Sequence, residues 1–354
     1  MIKKTPFPVH GGNIQQASEK YGFPLAQWID LSTGINPRSY PFSTLDKRYY
    51  QQLPYLDPHF IQAAKKYYQT RNILPVPGSQ SVIQLLPDIL SSGNLWVPEV
   101  GYQEYAYQWQ KNGRTVLSYP SFDVEESIDT IGFSIEQGEV DHLLIINPNN
   151  PTGLIIPVDV ISAWAKQLHF RGGKLIVDEA FVDMQPEQSV FSLEENLPEN
   201  IIVLRSFGKF FGLAGVRVGF VSAAQDVMDI LQWRLGPWFV NGVAQQIAIE
   251  ALSDRQWYDG IRAQIVKDSD ATVALFEPIM RAFQAEQLTN SGLFSSWRME
   301  AAQGQVLYER LAERGVLVRL IPCSSARCIV RIGNHWAGDD ALPISLAERL
   351  ETIR

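Results

Sequence analysis

The feature that most constrains the fold is an alternation of short apolar runs with amphipathic stretches between about residues 75 and 250. The intervening stretches carry apolar residues at helical spacing. Strands that alternate with helices predict an α/β fold, with a mainly parallel sheet covered by helices on both faces. The runs predicted as buried strands are 95–97, 143–146, 174–177, 201–204 and 218–221, and the predicted helices between them include 157–169 and 224–234.

The pattern changes after Asn241. A long helical stretch is predicted from Gly242 to about Phe283, because its apolar residues recur at helical spacing. Strand-like pieces follow, with a helix between the first two, so we expect a small α+β domain at this end of the chain. The predicted strands are 293–297, 315–320 and 329–332.

These changes divide the chain into three parts. The segment before residue 40 is rich in Gly, Pro, Asn and Ser, which indicates an arm that packs on the active site rather than a core. The predicted parts are an N-terminal arm (1–40), a large α/β domain (41–250) and a small C-terminal domain (251–354).

Length and charge exclude several classes of protein. At 354 residues the chain is too long for one compact core. Its formal net charge of -8 argues against a nucleic acid or an anionic membrane as the main partner. No apolar run approaches the roughly 20 residues that span a bilayer, and the first ten residues lack the apolar core of a signal peptide. We therefore expect a soluble, cytoplasmic protein.

The cysteine content predicts no metal site. Cys323 and Cys328 are the two cysteines of the chain, and no second cluster of ligands accompanies them. Two reduced thiols in a cytosolic protein are the expected state.

A lysine-containing motif follows the apolar run 201–204. It extends from Ser206 to Gly219 and places Lys209 among glycines and aromatic residues, where partial desolvation favours a neutral, nucleophilic amine. Ser206 and Arg217 flank the lysine with groups that suit a phosphate. Ser-x-x-Lys also occurs in serine β-lactamases, but their Ser-Asp-Asn and Lys-Thr-Gly partners are absent from this sequence.

A second motif places Asp178 and Glu179 directly after the apolar run 174–177. An apolar strand ending in Asp-Glu is also found on the metal side of P-loop ATPases, but the Gly-x4-Gly-Lys-Ser/Thr motif of that fold is absent. Alternatively, Asp178 faces a pyridine nitrogen and keeps it protonated, or it caps the following helix. This segment alone does not distinguish a contact with a pyridine nitrogen from a helix cap.

Two turns complete the set of motifs. Residues 147–153 follow the run 143–146 and form a turn made rigid by two prolines, from which Asn150 can direct its amide. Residues 77–81 precede a helical stretch, so that backbone N–H groups and Ser79 could bind an anion. Taken alone, each turn also fits a loop without a chemical role.

The four motifs, in this order, resemble the fold-type I pyridoxal-phosphate family of class I and II aminotransferases. This resemblance implies a mainly parallel seven-stranded sheet in a large domain, a small α+β C-terminal domain and an N-terminal arm. It implies pyridoxal 5'-phosphate as cofactor, with Lys209 as the Schiff-base lysine and Asp178 as the partner of the pyridine nitrogen. It implies that Asn150 contacts the phenolic oxygen and that the phosphate is bound by Ser79, Gln80, Ser206 and Arg217.

The same resemblance implies further contacts. Tyr102 would stack on the cofactor ring, and Tyr55 would reach the cofactor phosphate of the neighbouring subunit in a homodimer. Arg331 would bind the substrate carboxylate, and Arg319 would be a second substrate-binding arginine. The sequence departs from the family pattern at Phe181, where many relatives carry a tyrosine whose hydroxyl contacts the phenolic oxygen.

The N-terminal segment is similar to the opening of the threonine-phosphate decarboxylases of cobalamin synthesis. The similarity rests on residues 10–14 and 30–37 together with the Asp-Glu-Ala-Phe variant at 178–181. It implies decarboxylation of L-threonine O-3-phosphate to (R)-1-amino-2-propanol O-2-phosphate, with Arg319 on the substrate phosphate. The residues that would close over this small phosphorylated amino acid are His10, Asn13, Ser32 and Asn36.

Two other functions remain open at this point. A histidinol-phosphate-type aminotransferase would use the same residues but would consume a keto acid instead of releasing carbon dioxide. A ligand-sensing regulator on the same fold would be expected to carry a DNA-binding domain, and too few residues precede the predicted core to build one.

Overall fold

The computed structural model describes residues 8–336, 344–351 and 353, so the first seven residues of the predicted arm lie outside the described part. The described chain forms two compact units. The first contains Pro8, Ser39–Asn150 and Leu154–Trp257, and the second contains Val9–Arg38, Pro151–Gly153 and the chain from Tyr258 onward. Most of the segment predicted as an arm thus belongs to the second unit.

The first unit is built on a seven-stranded sheet. One strand, Gly219–Ser222, runs antiparallel to both of its neighbours, and the other paired strands are parallel. The predicted α/β class and the mainly parallel sheet are therefore confirmed. In spatial order the strands are Leu74–Val76, Gly219–Ser222, Ile201–Ser206, Lys174–Asp178, His142–Ile146, Leu95–Pro98 and Val116–Tyr119.

The two edge strands of this sheet were not predicted. Leu74–Val76 is only three residues long and has a proline at its centre, which a strand tolerates at a sheet edge. Val116–Tyr119 is partly exposed and therefore lacks the continuous apolar run of the central strands.

Helices connect and cover these strands. Two of them show why they begin where they do: the side chain of Asp57 accepts a hydrogen bond from His59 N, and that of Asp123 accepts one from Glu126 N. None of the helices in the described ranges has both the length and the apolar character needed to cross a membrane. The α-helices of this unit are Arg48–Gln51, Pro58–Tyr68, Ser79–Ile89, Glu104–Lys111, Val124–Glu136, Val158–His169, Phe207–Phe210, Gln225–Leu235 and Gly242–Ser253.

The second unit contains a four-stranded antiparallel sheet in the order Arg319–Pro322, Arg327–Gly333, Phe294–Glu300 and Glu286–Asn290. A separate parallel pair joins Ile29–Asp30 to Val316–Leu317, so the strand predicted at 315–320 is in fact two short strands. Glu286–Asn290 was not predicted, because it is a polar and mostly exposed edge strand. The helices confined to this unit are Ile14–Tyr21, Ala301–Ala312 and Leu346–Leu350.

The long helix predicted from 242 to 283 is wrong as a single element. The structure has two helices, Gly242–Ser253 and Arg255–Ala282, and Asp254 lies between them with φ -87° and ψ 83°. The carboxylate of Asp254 accepts a hydrogen bond from Trp257 N at 2.9 Å, as an N-cap residue does. Continuous apolar periodicity concealed this break.

A buried ion cluster joins two central strands of the first unit to the loop that follows one of them. Arg205 donates to Glu179 at 2.9 Å and to Asp183 at 2.7 Å, and all three residues are less than 5% exposed. Burial raises the pKa of Glu179, and the charge of Arg205 opposes that rise. The cluster therefore places one guanidinium group between two carboxyl groups in an apolar interior.

We expect Arg205→Met to lower the free energy of unfolding by about 3–5 kcal/mol, because it leaves two buried carboxylates without their cation. The matched control is Arg298→Met, which removes a partly exposed ion pair with Glu286 and should cost less than about 1 kcal/mol. Urea unfolding followed by circular dichroism measures both values. The loss in Arg205→Met should be larger at pH 8 than at pH 5, because burial raises the pKa of Glu179 and its protonation at the lower pH removes one buried charge. Equal losses for the two variants would contradict this prediction.

Candidate active site

A cavity in the first unit lies where the carboxyl ends of its parallel strands meet. Turns that follow adjacent parallel strands converge at one edge of the sheet, so side chains far apart in sequence come together there. Eight of the nine residues predicted to bind the cofactor line this cavity, namely Ser79, Gln80, Tyr102, Asn150, Asp178, Ser206, Lys209 and Arg217. Gly78, Ala180 and Phe181 line it as well.

One end of the cavity is suited to an anion. The helix Ser79–Ile89 begins there without a side-chain cap, so its first backbone N–H groups and its positive dipole end are available. Gly78, with φ +77°, precedes the helix, and a Cβ at this position would lie 2.7 Å from Nη2 of Arg217. The guanidinium group therefore lies against the backbone at the start of the helix. Together with the hydroxyl of Ser206, these donors match a phosphate group.

Asp178 provides a buried carboxylate in the same cavity. It is the last residue of the strand Lys174–Asp178 and is 4% exposed. Its Oδ2 accepts a hydrogen bond from the hydroxyl of Tyr105 at 2.8 Å, and its Oδ1 accepts one from Ala180 N at 3.0 Å. Burial raises the pKa of Asp178, while these two donors and the charge of Lys209 lower it.

Lys209 enters the cavity from the short helix Phe207–Phe210, which follows the strand Ile201–Ser206 without a loop. Its Nζ lies 5.6 Å from the centre of the Phe181 ring. Phe181 is 4% exposed and presents no hydroxyl, so the position at which the sequence departs from the family pattern is an aromatic part of the cavity wall.

The positions of Tyr102 and Gln80 depend on a buried carboxylate that the sequence analysis missed. The hydroxyl of Tyr102 donates to Oε1 of Gln80 at 3.0 Å, and Nε2 of Gln80 donates to Glu104 at 2.8 Å. Glu104 is 6% exposed and also accepts a hydrogen bond from Gln108 at 3.2 Å. Glutamate in the first turn of a helix is usually solvated, so its type and position gave no signal of this role.

The turn that carries Asn150 is held by its neighbours. The side chain of Asn147 donates to Ile156 O at 3.1 Å and accepts from Ile156 N at 2.9 Å. Asn149 donates to Val100 O at 2.8 Å. These buried contacts fix the backbone on which Asn150 is presented to the cavity.

The groups in this cavity fit pyridoxal 5'-phosphate. An amine that can react with an aldehyde, a buried carboxylate and a phosphate site are the three groups that this cofactor requires. Lys209, Asp178 and the donors around Arg217 supply these three groups within one cavity.

Tyr55, the ninth residue predicted to bind the cofactor, lies outside this cavity. Its side chain is 75% exposed, and its ring is 6.2 Å from that of Trp238.

The residues predicted to bind the substrate lie in the second unit. Of these, His10, Asn13, Ser32 and Arg319 line one cavity there. Arg331 is 8% exposed and donates to Ser32 O at 2.6 Å, and Asn36 is buried with its side-chain oxygen accepting from Arg38 N. Arg319 donates to the carbonyl of Val9.

Arg319 and Arg331 are opposite each other on two antiparallel strands. Burial and the neighbouring charge of Arg319 lower the pKa of Arg331 to about 10. Burial also lowers the pKa of Arg319. Like charges at directly opposed positions are destabilising, so the pair weakens the sheet in which it lies.

Comparison with known proteins identifies the family to which the chain belongs. The family model of aminotransferases of class I and II matches residues 42–338. The chain is 37% identical to a threonine-phosphate decarboxylase of Pseudomonas aeruginosa, over 96% of this chain and 98% of that protein. It is also 37% identical to a threonine-phosphate decarboxylase of a Sinorhizobium species, over 96% of this chain and 97% of that protein. The chain is 23% identical to a histidinol-phosphate aminotransferase of Buchnera aphidicola, over 87% of this chain and 86% of that protein.

Solved structures share the fold at lower identity. A histidinol-phosphate aminotransferase from Clostridium acetobutylicum matches with a TM-score of 0.73 and 22% identity, over 86% of this chain and 93% of that one. A histidinol-phosphate aminotransferase from Sinorhizobium meliloti, in complex with pyridoxal-5'-phosphate, matches with a TM-score of 0.69 and 19% identity, over 99% of this chain and 95% of that one.

We expect Gly78→Ala to weaken the binding of pyridoxal 5'-phosphate roughly tenfold, because the added methyl group displaces Arg217 from the anion site. The matched control is Gly236→Ala. Gly236 (φ 76°, ψ -165°) lies in the same glycine-only region of backbone conformation as Gly78 (φ 77°, ψ 149°) but has no neighbouring atom within 4 Å, so that variant carries a comparable backbone strain of about 1–3 kcal/mol without the collision. Absorbance titration of the apoproteins measures the affinity. Equal affinities in the two variants would show that the position of Arg217 does not matter.

Proposed function

Because the chain belongs to the family of class I and II aminotransferases, we propose that it is a pyridoxal-phosphate-dependent decarboxylase of cobalamin biosynthesis. The proposed reaction converts L-threonine O-3-phosphate to (R)-1-amino-2-propanol O-2-phosphate with release of carbon dioxide. The observation that carries the proposal is the 37% identity to two threonine-phosphate decarboxylases over nearly the full length of both proteins. We also propose a cytoplasmic location, with which the absence of a disulfide at Cys323 and Cys328 is compatible.

The cofactor contributes one chemical property. Bound pyridoxal 5'-phosphate supplies an electron sink for the electron pair released when a bond at the amino-acid α-carbon breaks. We assign its covalent attachment to Lys209, its ring nitrogen to Asp178 and its phenolic oxygen to Asn150, with Tyr102 packing against the ring. The phosphate is assigned to Ser79, Gln80, Ser206 and Arg217.

Asp178 makes the electron sink effective. Its carboxylate is buried, so its attraction for a proton on the ring nitrogen is much stronger than it would be in water. Two hydrogen bonds hold the carboxylate in one orientation. The residue thus keeps that proton in place during the reaction.

We propose that the arginine pair binds the two anionic ends of the substrate, with Arg331 on the carboxylate and Arg319 on the phosphate. A ligand with two anionic groups offsets the repulsion between two cations on adjacent strands. His10, Asn13, Ser32 and Asn36 contribute polar groups around the same ligand. Two anchored ends leave the substrate a single orientation, which selects the bond to the carboxylate for cleavage. Lys209 Nζ then delivers a proton to the α-carbon.

We propose that the enzyme is a homodimer in which Tyr55 acts on the cofactor phosphate of the other subunit. Tyr55 is exposed in its own chain and lies outside the cavity of that chain. Other large apolar side chains on the same unit are also exposed, which a second copy could cover. They include Tyr50, Leu53, Trp233 and Trp238.

A histidinol-phosphate-type aminotransferase is the alternative, because it would use the same cavity. The lower identity to such enzymes disfavours it. Consumption of a keto acid distinguishes it from the decarboxylase.

We expect the purified protein, with pyridoxal 5'-phosphate and no keto acid, to release carbon dioxide from L-threonine O-3-phosphate over many turnovers. Lys209→Ala should reduce kcat by at least about a thousandfold, because the covalent attachment and the proton donor are both lost. Lys166→Ala, at an exposed helix position, is the control and should keep full activity. Amino transfer from histidinol phosphate to 2-oxoglutarate, without carbon dioxide release, would retain the cofactor assignment and refute the substrate assignment.

The action of Tyr55 across the dimer can be tested by complementation. Tyr55→Ala and Lys209→Ala homodimers should each have low activity. Unfolding and refolding an equal mixture should restore activity, because in a hybrid dimer the subunit with Lys209 receives Tyr55 from the other subunit. Activity that stays at the sum of the two separate variants would place Tyr55 in its own subunit's site or in none.

A further inference from the structure

The functions assigned so far use the hydrogen bond between Tyr105 and Asp178 only to orient the carboxylate. Tyr105 lies in the first turn of the helix Glu104–Lys111, is fully buried, and belongs to the apolar core between this helix and the sheet. A phenylalanine would fill the same space without placing a hydroxyl in the interior. The hydroxyl donates to Oδ2 of Asp178 at 2.8 Å.

The hydroxyl can act only as a donor in this pair. Burial and the charge of Asp178 raise the pKa of Tyr105 well above its usual value, so the phenol stays neutral while the carboxylate is ionised. A hydrogen bond to a carboxylate stabilises the charged form and makes the group a weaker base. The other groups whose charge or hydrogen bond reaches Asp178 are Lys209, the main-chain N–H of Ala180 and the phenol of Tyr102.

We propose that Tyr105 is a positioning residue that weakens the basicity of Asp178, so that the shared proton stays on the ring nitrogen of the cofactor. The inference rests on the proposed function in one respect: the cavity must bind pyridoxal 5'-phosphate. It does not depend on the identity of the substrate. A buried carboxylate without this donor would compete for the proton and would leave the ring a poorer electron sink.

The test uses holoenzyme prepared with pyridoxal 5'-phosphate labelled with ¹⁵N at the ring nitrogen, whose NMR resonance reports protonation. In Tyr105→Phe we expect the resonance to move from its wild-type position toward that of unprotonated pyridine. We expect kcat to fall about tenfold, as the loss of a hydrogen bond to a charged group predicts. The effect acts on the chemical step, so KM should change little.

Tyr119→Phe is the matched control. Tyr119 is also buried, and its hydroxyl donates to Leu144 O at 2.8 Å, so its loss removes a comparable hydrogen bond from the same unit without affecting Asp178. The ¹⁵N resonance should stay at its wild-type position in this variant. Replacing Tyr105 by 3,5-difluorotyrosine preserves the shape and strengthens the donor, so the resonance should move away from the unprotonated position or stay at the protonated limit.

An unchanged resonance in Tyr105→Phe would overturn the proposal and leave Tyr105 a purely structural residue. A displacement of equal size in Tyr119→Phe would do the same. Failure of the wild-type protein to bind the cofactor would refute the proposed function together with this inference. Cofactor binding without decarboxylation would refute only the substrate assignment, because the resonance would still report on Tyr105.

Discussion

Two consecutive buried carboxylates at the end of one central strand determine much of the first unit. Successive side chains of a strand point to opposite faces of a sheet, and Asp178 accordingly lines the cavity while Glu179 enters the ion cluster behind it. Burial raises the pKa of both, so each needs a cation or donors nearby. The next strand supplies both cations, Arg205 within it and Lys209 just after its end. The reactive lysine and the structural arginine are thus placed by the same pairing of two parallel strands.

The central part of the fold could be predicted because its strands are buried on both faces. Such strands are continuous apolar runs, and four of the five predicted runs lie within observed strands without displacement, namely 95–97, 143–146, 174–177 and 201–204. The edge strands gave no comparable signal, because Val116–Tyr119 is partly exposed and Leu74–Val76, although buried, has only three residues with a proline at its centre. The break at Asp254 was hidden for a different reason: a capping residue interrupts the backbone, while the apolar spacing on either side continues.

The site was predictable wherever a functional side chain follows a strand end, because the short motif then contains both the structural and the chemical signal. Tyr105 and Glu104 escaped prediction because they act through side chains distant in sequence. Tyr105 reaches a residue 73 positions away, and Glu104 reaches one 24 positions away. No local pattern shows that a tyrosine in an apolar core has a carboxylate beside its hydroxyl. Only the packing of a helix against the sheet brings the two together.

The arginine pair of the second unit carries a cost in stability that its proposed role in substrate binding would explain. Two guanidinium groups opposed on adjacent strands repel each other, and the burial of Arg331 increases that cost because water screens its charge less. The protein retains the arrangement although the sheet would be more stable with one neutral side chain. A ligand with two anionic groups offsets the repulsion, whereas a ligand with one leaves part of it in place. In the proposed substrate complex the pair therefore favours the phosphorylated amino acid over the one without its phosphate, which brings only one anionic group to two cations.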